Sequence, residues 1–155
     1  MNYANPEKVV VDANVLIHSR AQFPFQKALI PSSVQKEIRS EMSQLKMQKL
    51  DVRVIEPSKS AIEKVENKSN EINSPTSVQD EDALALAIER QLTLVTDDKA
   101  LQNLALHLEH NFEGFNTNRI DEKRSWKMVC DNCGNKVSSS PCSVCGSDSY
   151  LRKRD

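Results

Sequence analysis

The chain has 155 residues, 38% hydrophobic and 28% charged, with a formal net charge of -1. That length fits one ordinary domain plus at most a small appendage. Three glycines, no G-x-G-x-x-G and no P-loop exclude the common nucleotide-cradling chemistries, and no apolar run approaches the ~18 residues of a membrane helix. The first residues lack the basic and apolar regions of a signal peptide, so a soluble, cytoplasmic protein is expected.

Lys8 to Asp12 reads as a buried strand, because Val9, Val10 and Val11 are β-branched and the run stops at Asp12. Val15 to Ile17 continue as a helix under the strand end. Ala28 to Ile30 is a second strand. Ser32 with Gln35 forms a capping-box pattern, and the helix it opens carries Val34, Ile38, Met42 and Leu45 on one face, with Glu37 in its first turns. Val52 to Ile55 is a third strand. Pro57-Ser58 opens a surface helix with Ile62, Val65 and Ile72 at helical spacing. Residues 73–77 form a loop whose Ser77 caps a helix from Val78 to Arg90. Asp80, Glu81 and Asp82 sit in its first turn, where the helix dipole favours acids, and Ala83, Leu84, Ala87 and Ile88 form its packing face. Leu92 to Thr96 is a fourth strand ending on Asp97-Asp98. A last helix faces Leu101, Leu104, Ala105 and Leu108 inward.

Strands alternating with helices predict an α/β fold with a mainly parallel sheet, whose strand C-termini share one edge. Composition shifts near residue 118. Residues 1–118 hold 13 Lys/Arg against 17 Asp/Glu, whereas residues 119–155 hold 8 against 5 and all four cysteines. The expected division is 1–118 for the α/β domain, 119–127 for a polar linker, and 128–155 for a small cysteine module with a basic tail.

Two constellations carry chemistry. Asp12, Asp97 and Asp98 directly follow apolar strands, Asp80 and Asp82 open the helix leading into the fourth strand, and Glu37 opens another helix. Any one of these acids reads by default as a cap or a solvated charge. Together, at one sheet edge, they would repel one another and raise each other's pKa. A hard divalent cation relieves that cost, and all-oxygen ligands suit Mg2+ or Mn2+, which activate water and stabilise charge on a phosphoryl group. Asn14, two residues after Asp12, orients a ligand or caps the helix.

The second constellation is Cys130-x2-Cys133-Gly and Cys142-x2-Cys145-Gly. Four thiolates at this spacing suit one tetrahedral structural Zn2+, and each following glycine permits a tight turn around a bound sulfur. An iron–sulfur centre is the chemical alternative; a disulfide pair does not suit an intracellular chain. His18, His107 and His110 are scattered and read as surface or boundary residues. Trp126 either stacks on a base or packs the small module. Arg119, Lys123, Arg124, Lys127, Lys136, Arg152, Lys153 and Arg154 are candidates for a phosphate-binding track.

Val10-Val-Asp12-Ala-Asn14, the helix with Glu37, Ser77-Val-Gln-Asp80 followed by Ala83-Leu-Ala-Leu-Ala87, and Leu94-Val-Thr-Asp-Asp98 resemble the PIN-domain nuclease pattern in order and placement. With the four-cysteine ribbon added, the whole chain resembles the archaeal endoribonucleases that mature the 3′ end of small-subunit ribosomal RNA. The resemblance implies a PIN fold followed by a zinc ribbon. It implies Asp12, Glu37, Asp80 and the Asp97/Asp98 pair as the metal-binding acids, with Asp82 an alternative to Asp80 and Thr96 a secondary candidate. It also implies manganese or magnesium dependence, a precursor rRNA substrate, and partners in the precursor small ribosomal subunit and its assembly factors.

The expected function is therefore metal-dependent endoribonuclease action on that precursor. The rivals are a toxin-like PIN ribonuclease, and a zinc-ribbon RNA-binding module on a structural PIN platform. A haloacid-dehalogenase-type phosphatase would need Asp-x-Asp where this chain has Asp12-Ala-Asn14. A receiver domain would need its acidic pair after the first strand.

Overall fold

Val9, Val10 and Val11 are wholly buried in β1 (Lys8–Val11), the central strand of the molecule. The computed structural model describes residues 8–18, 23–40, 43–45, 48, 50–138 and 140–154. Met42, expected on the stripe after Ser32, lies outside the described residues. After β1 come α1 (Ala13–His18), β2 (Lys27–Ile30), α2 (Ser32–Gln35), β3 (Asp51–Val54), α3 (Lys59–Glu71) and α4 (Val78–Arg90). Then follow β4 (Leu94–Val95), α5 (Lys99–His107), β5 (Phe112–Glu113), β6 (Trp126–Cys130) and β7 (Tyr150–Arg154).

Among the described residues the first five strands form one sheet in the order β3-β2-β1-β4-β5, with every pairing parallel. The expected α/β architecture is therefore present. The chain runs outward from β1 through β2 to β3, then returns to lay β4 on the other side of β1. Strand order reverses between β1 and β4, and a crevice at the C-terminal ends of such a pair is where open α/β sheets bind ligands. In register, Val10 lies beside Leu94 and Val11 beside Val95, which brings Asp12 level with Thr96.

α4 has the bounds read from the sequence. Ser77 accepts from the Asp80 N–H, and Asp80 accepts from the Ser77 N–H in return, a reciprocal capping box. Ala83 to Ala87 are buried without a break, because α4 packs on β1 and β4 while also meeting α2, α3 and α5. Its alanines let these elements approach closely.

The helix after β2 is shorter than expected. Pro31, not Ser32, is the N-cap of α2, with no side-chain cap, and the Ser32 N–H donates instead to Glu56 Oε1 at 2.7 Å. The helix stops at Gln35, so Glu37 lies in the turn that follows. Ser40 then starts a new helical turn: its Oγ accepts from the Ser43 N–H at 3.1 Å, the bond of an N-cap. Val34 and Ile38 are buried, but across a turn and not along one helix.

The sequence reading contained no strand at Phe112–Glu113. β5 nevertheless closes the sheet beside β4, and the Thr96 N–H donates to Glu113 O at 2.9 Å. Two buried amides on α5 were also unforeseen. Gln102 donates to Thr96 O at 2.7 Å and accepts from the Ile120 N–H at 3.0 Å. Asn103 bonds both backbone groups of Arg124, donating at 2.8 Å and accepting at 2.5 Å. His107 Nε2 also meets Arg124 O, and Asn73 Nδ2 donates to Trp126 O at 3.0 Å. Residues 120–126 are thus stitched to α5 and to the loop after α3. Beyond them β6 and β7 pair antiparallel, so Arg152, Lys153 and Arg154 belong to a strand.

Candidate active site and metal centre

The acids converge because of the strand order. Asp12 follows β1 directly and is almost wholly buried, at 1% exposure. Its Oδ1 accepts from the Val15 N–H at 3.1 Å, capping α1, and its Oδ2 accepts a short bond from the Thr96 hydroxyl. Thr96 Oγ1 accepts in turn from the Asp98 N–H at 3.1 Å. A chain of hydrogen bonds therefore links the ends of β1 and β4. Burial pushes the Asp12 carboxyl up to about 6, against the bonds from Thr96 and Val15, and the charges of Asp80 and Asp98 push the same way.

Asp80 approaches from the first turn of α4. Burial raises its pKa and the charge of Asp98 adds to the rise, while its bonds to Ser77 oppose it. Glu37 is raised by partial burial and by Asp80. Asp12, Glu37, Asp80 and Asp98 thus share one electrostatic neighbourhood. Asp82 faces elsewhere: its Oδ2 accepts from Ser33 Oγ at 2.7 Å, tying α4 to α2.

The Asp97-Asp98 doublet divides. Asp98 caps α5, its Oδ1 accepting from the N–H groups of Ala100 at 2.8 Å and Leu101 at 3.2 Å. Asp97 bonds the loop after β5, receiving the backbone N–H groups of Phe115, Asn116 and Thr117. Burial raises Asp97, but those backbone bonds outweigh it and hold the carboxyl below its usual range. Asn14, His18, Asp97, Asp98 and Asn116 line a cleft of about 320 Å³. Asn116 is not singled out by the sequence; the available signal is the loop composition of Gly114-Phe-Asn-Thr117.

These carboxylates fit a hard cation. The donor set is all oxygen, and Asp80 Oδ1 and Asp98 Oδ2 carry no hydrogen bond among the described residues. Among the described residues the acids stand farther apart than a group closed around one ion.

The four cysteines do gather, with all four sulfurs within 4.8 Å of one another. Cys130 Sγ lies 3.4 Å from Cys145 Sγ, and Cys133 Sγ lies 3.7 Å from Cys142 Sγ. Tetrahedral Zn–S bonds of about 2.3 Å imply sulfurs about 3.8 Å apart. The two knuckles repeat each other. The Gly134 N–H donates to Cys130 O and the Gly146 N–H to Cys142 O, both at 2.9 Å. Both glycines have positive φ, 76° and 77°, a conformation that costs glycine little. The Ser147 backbone N–H, with help from Asn132 and Cys130, draws the Cys145 thiol down to about 6, favouring the thiolate that binds metal.

The candidate phosphate contacts divide between surfaces. Lys127 pairs with Lys153 and Met128 with Arg152, so strand alternation puts the two lysines on one face of the hairpin and Arg152 on the other. Arg154 is in register with Trp126, and Arg124 is half-buried beside α5.

A parallel sheet with acids at its β1/β4 reversal, followed by a four-thiol ribbon, defines a PIN-type nuclease architecture, and the comparisons agree. Residues 9–91 match the family model for the PIN domain of ribonuclease. The chain is 30% identical over 151 residues to Endoribonuclease Nob1 of Archaeoglobus fulgidus, covering 93% of this chain and 90% of that protein. It is 32% identical over 158 residues to Endoribonuclease Nob1 of Pyrococcus abyssi, covering 95% and 94%. It is 31% identical over 144 residues to Ribonuclease VapC1 of Thermoplasma acidophilum, covering 88% and 74%. The chain belongs to the PIN-domain ribonuclease family, in the group that includes the archaeal Nob1 endoribonucleases. Among the described residues no helix is long and apolar enough to cross a membrane.

Proposed function

We propose that this chain is a divalent-metal-dependent endoribonuclease. It cuts precursor small-subunit rRNA at or near the mature 3′ end, in the cytoplasm, within the precursor subunit and among its assembly factors. The observation that carries the reading is the convergence of Asp12, Asp80 and Asp98 beside the β1/β4 reversal, in a chain that matches Nob1 relatives along nearly its full length.

Asp12, Asp80 and Asp98 would hold Mn2+ or Mg2+, which supplies water activation and charge stabilisation at the phosphoryl group. Thr96 fixes the Asp12 carboxylate through its hydroxyl. Glu37, in the charge field of Asp80, orients the attacking water. The four cysteines hold one structural zinc, and Arg124, Lys127, Arg152, Lys153 and Arg154 contact the RNA backbone. The match to VapC1 carries a second reading, a ribonuclease with a different RNA target.

The test is incubation of purified protein with precursor RNA spanning the small-subunit 3′ end, with Mn2+ or with EDTA. Cleavage near that end by wild type with Mn2+, and none by Asp12→Asn or with EDTA, is the expected result. Metal-dependent cutting of other RNAs with that end left intact would favour the second reading. No cutting of any RNA would remove the enzyme reading.

A further inference from the structure

Asp97 makes more hydrogen bonds than any other acid in the cleft, and all of them go to one loop. Its Oδ1 accepts from the N–H groups of Phe115 at 2.7 Å, Asn116 at 3.0 Å and Thr117 at 3.1 Å, and from Thr117 Oγ1 at 3.2 Å. Its Oδ2 accepts from the Asn116 N–H at 3.0 Å and Asn116 Nδ2 at 3.1 Å. Lys99 Nζ secures the far side, donating to Thr117 Oγ1 at 3.1 Å and to Asn118 O. Phe115 anchors the loop by packing with Phe23 and Phe25, at centroid distances of 5.6 and 6.4 Å.

The turn tolerates no side chain at its start. A Cβ on Gly114 would stand 2.1 Å from Thr117 O. The loop is therefore built around a carboxylate, and it delivers Asn116 to the cleft opposite Asn14 and His18 on α1. Asn14 and His18 are four residues apart, on one exposed stripe of that helix. With the charge of Asp97 spread over its hydrogen bonds, this wall offers amide and imidazole groups to a strand of phosphates.

We propose that Asp97 is a positioning residue: its carboxylate templates residues 114–117, and through them holds Asn116 as the wall against which the RNA strand lies beside Asp98. The adjacent acids then divide the work, Asp98 toward the cation and Asp97 toward the substrate wall. The assignment rests on the ribonuclease reading above.

The test uses the full zinc-loaded chain, precursor RNA and Mn2+. Asp97→Asn should raise KM for RNA roughly tenfold, the order expected for losing charge-assisted bonds that hold a contact in place. Its kcat should stay within about twofold and its Mn2+ half-saturation should not move. Asn116→Ala should raise KM likewise, and the double variant should be no worse than the worse single one. Gly114→Ala, whose Cβ would stand 2.1 Å from Thr117 O and 3.4 Å from Asp97 Oδ1, displaces the loop while keeping the Asp97 carboxylate, and should also raise KM and leave Mn2+ half-saturation alone. Asp98→Asn should do the reverse, shifting Mn2+ half-saturation and lowering kcat.

A shift of Mn2+ half-saturation in Asp97→Asn, or additive losses in the double variant, would overturn the assignment. If Asp97→Asn does not fold, Gly114→Ala and Asn116→Ala decide it by the same split. If wild type cuts no RNA, the ribonuclease reading fails. The positioning claim is then read from hydrogen exchange at the amides of residues 115–117. Faster exchange in Asp97→Asn but not in Asp98→Asn supports it, and equal exchange in the two variants overturns it.

Discussion

From Val9 to Ile120 the chain shares one apolar core. In residues 126–154 the buried apolar positions among the described residues are Val129, Cys130 and Cys142, and two of those three are metal-type ligands. The sheet domain gains its stability from area removed from water, at about 25 cal/mol per Å². The ribbon has little such area, and its four gathered thiols could hold a metal that stabilises the knuckles. The same contrast holds for charge. At the sheet edge burial, with neighbouring acids adding to it, raises the Asp12 carboxyl, whereas the ribbon's backbone and side-chain donors lower a thiol. The donor chemistry differs accordingly, all oxygen at the sheet edge and all sulfur in the ribbon, which suit hard and softer cations respectively.

The largest effect should come from the ribbon. Cys130→Ser with Cys133→Ser removes half the ligand set, and structural zinc in such modules is worth on the order of 10 kcal/mol. Zinc content should fall from about one per chain to none. Exchange protection at 126–130 and 150–154 should disappear while the main melting transition stays in place. Loss of both regions together would show that they fold as one unit. The converse substitution is Leu84→Ala, at a wholly buried site on α4. It should destabilise the sheet domain by about 2–5 kcal/mol in chemical denaturation and leave zinc bound.

Asp12 gives a pH-dependent prediction. Its carboxyl titrates near 3.8 in the free chain and about 6 when folded. Between those values the folded state holds the extra proton, so stability falls as pH rises from about 4 to about 6, and the full penalty persists above. The ceiling is about 3 kcal/mol. Metal-free Asp12→Asn should therefore melt a few degrees above wild type at pH 7.5, with the gap closing toward pH 4. A lower melting temperature at pH 7.5 would contradict the picture of a carboxylate destabilised by burial beside other acids. A smaller effect is expected at the join. Asn103→Ala removes both bonds to Arg124 and should cost about 1–3 kcal/mol, with faster exchange at residues 120–126.

Much of this was legible where local chemistry and tertiary context agree. The valine run made β1, the Ser77–Asp80 box set the start of α4, and the paired C-x2-C-G motifs made the knuckles. Reading failed where a competing hydrogen-bond partner, often a distant one, decides the structure, or where the element is too short to show a period. Helical spacing through Val34, Ile38 and Leu45 suggested one helix, but Ser40 captured the Ser43 N–H and Glu56 the Ser32 N–H. β5 has two residues, too few for any period. Gln102 and Asn103 carry no sequence signal of burial, because their partners lie 18 and 21 residues on, in a stretch that reads as linker. Asp97 and Asp98 are chemically identical neighbours, and the loop at 115–117 is what separates their hydrogen-bond partners.

The central claim is that Asp12, Asp80 and Asp98 form a divalent-cation site beside the β1/β4 reversal, distinct from the sulfur site. Mn2+ titration of the zinc-loaded protein, followed by electron paramagnetic resonance, tests it directly. Wild type and Asp82→Asn should bind Mn2+ alike, because Asp82 is committed to Ser33. Asp80→Asn and Asp98→Asn should each weaken binding at least tenfold, as expected when one charged ligand of a hard cation is removed. Equal Mn2+ affinity in wild type, Asp80→Asn and Asp98→Asn would contradict the account.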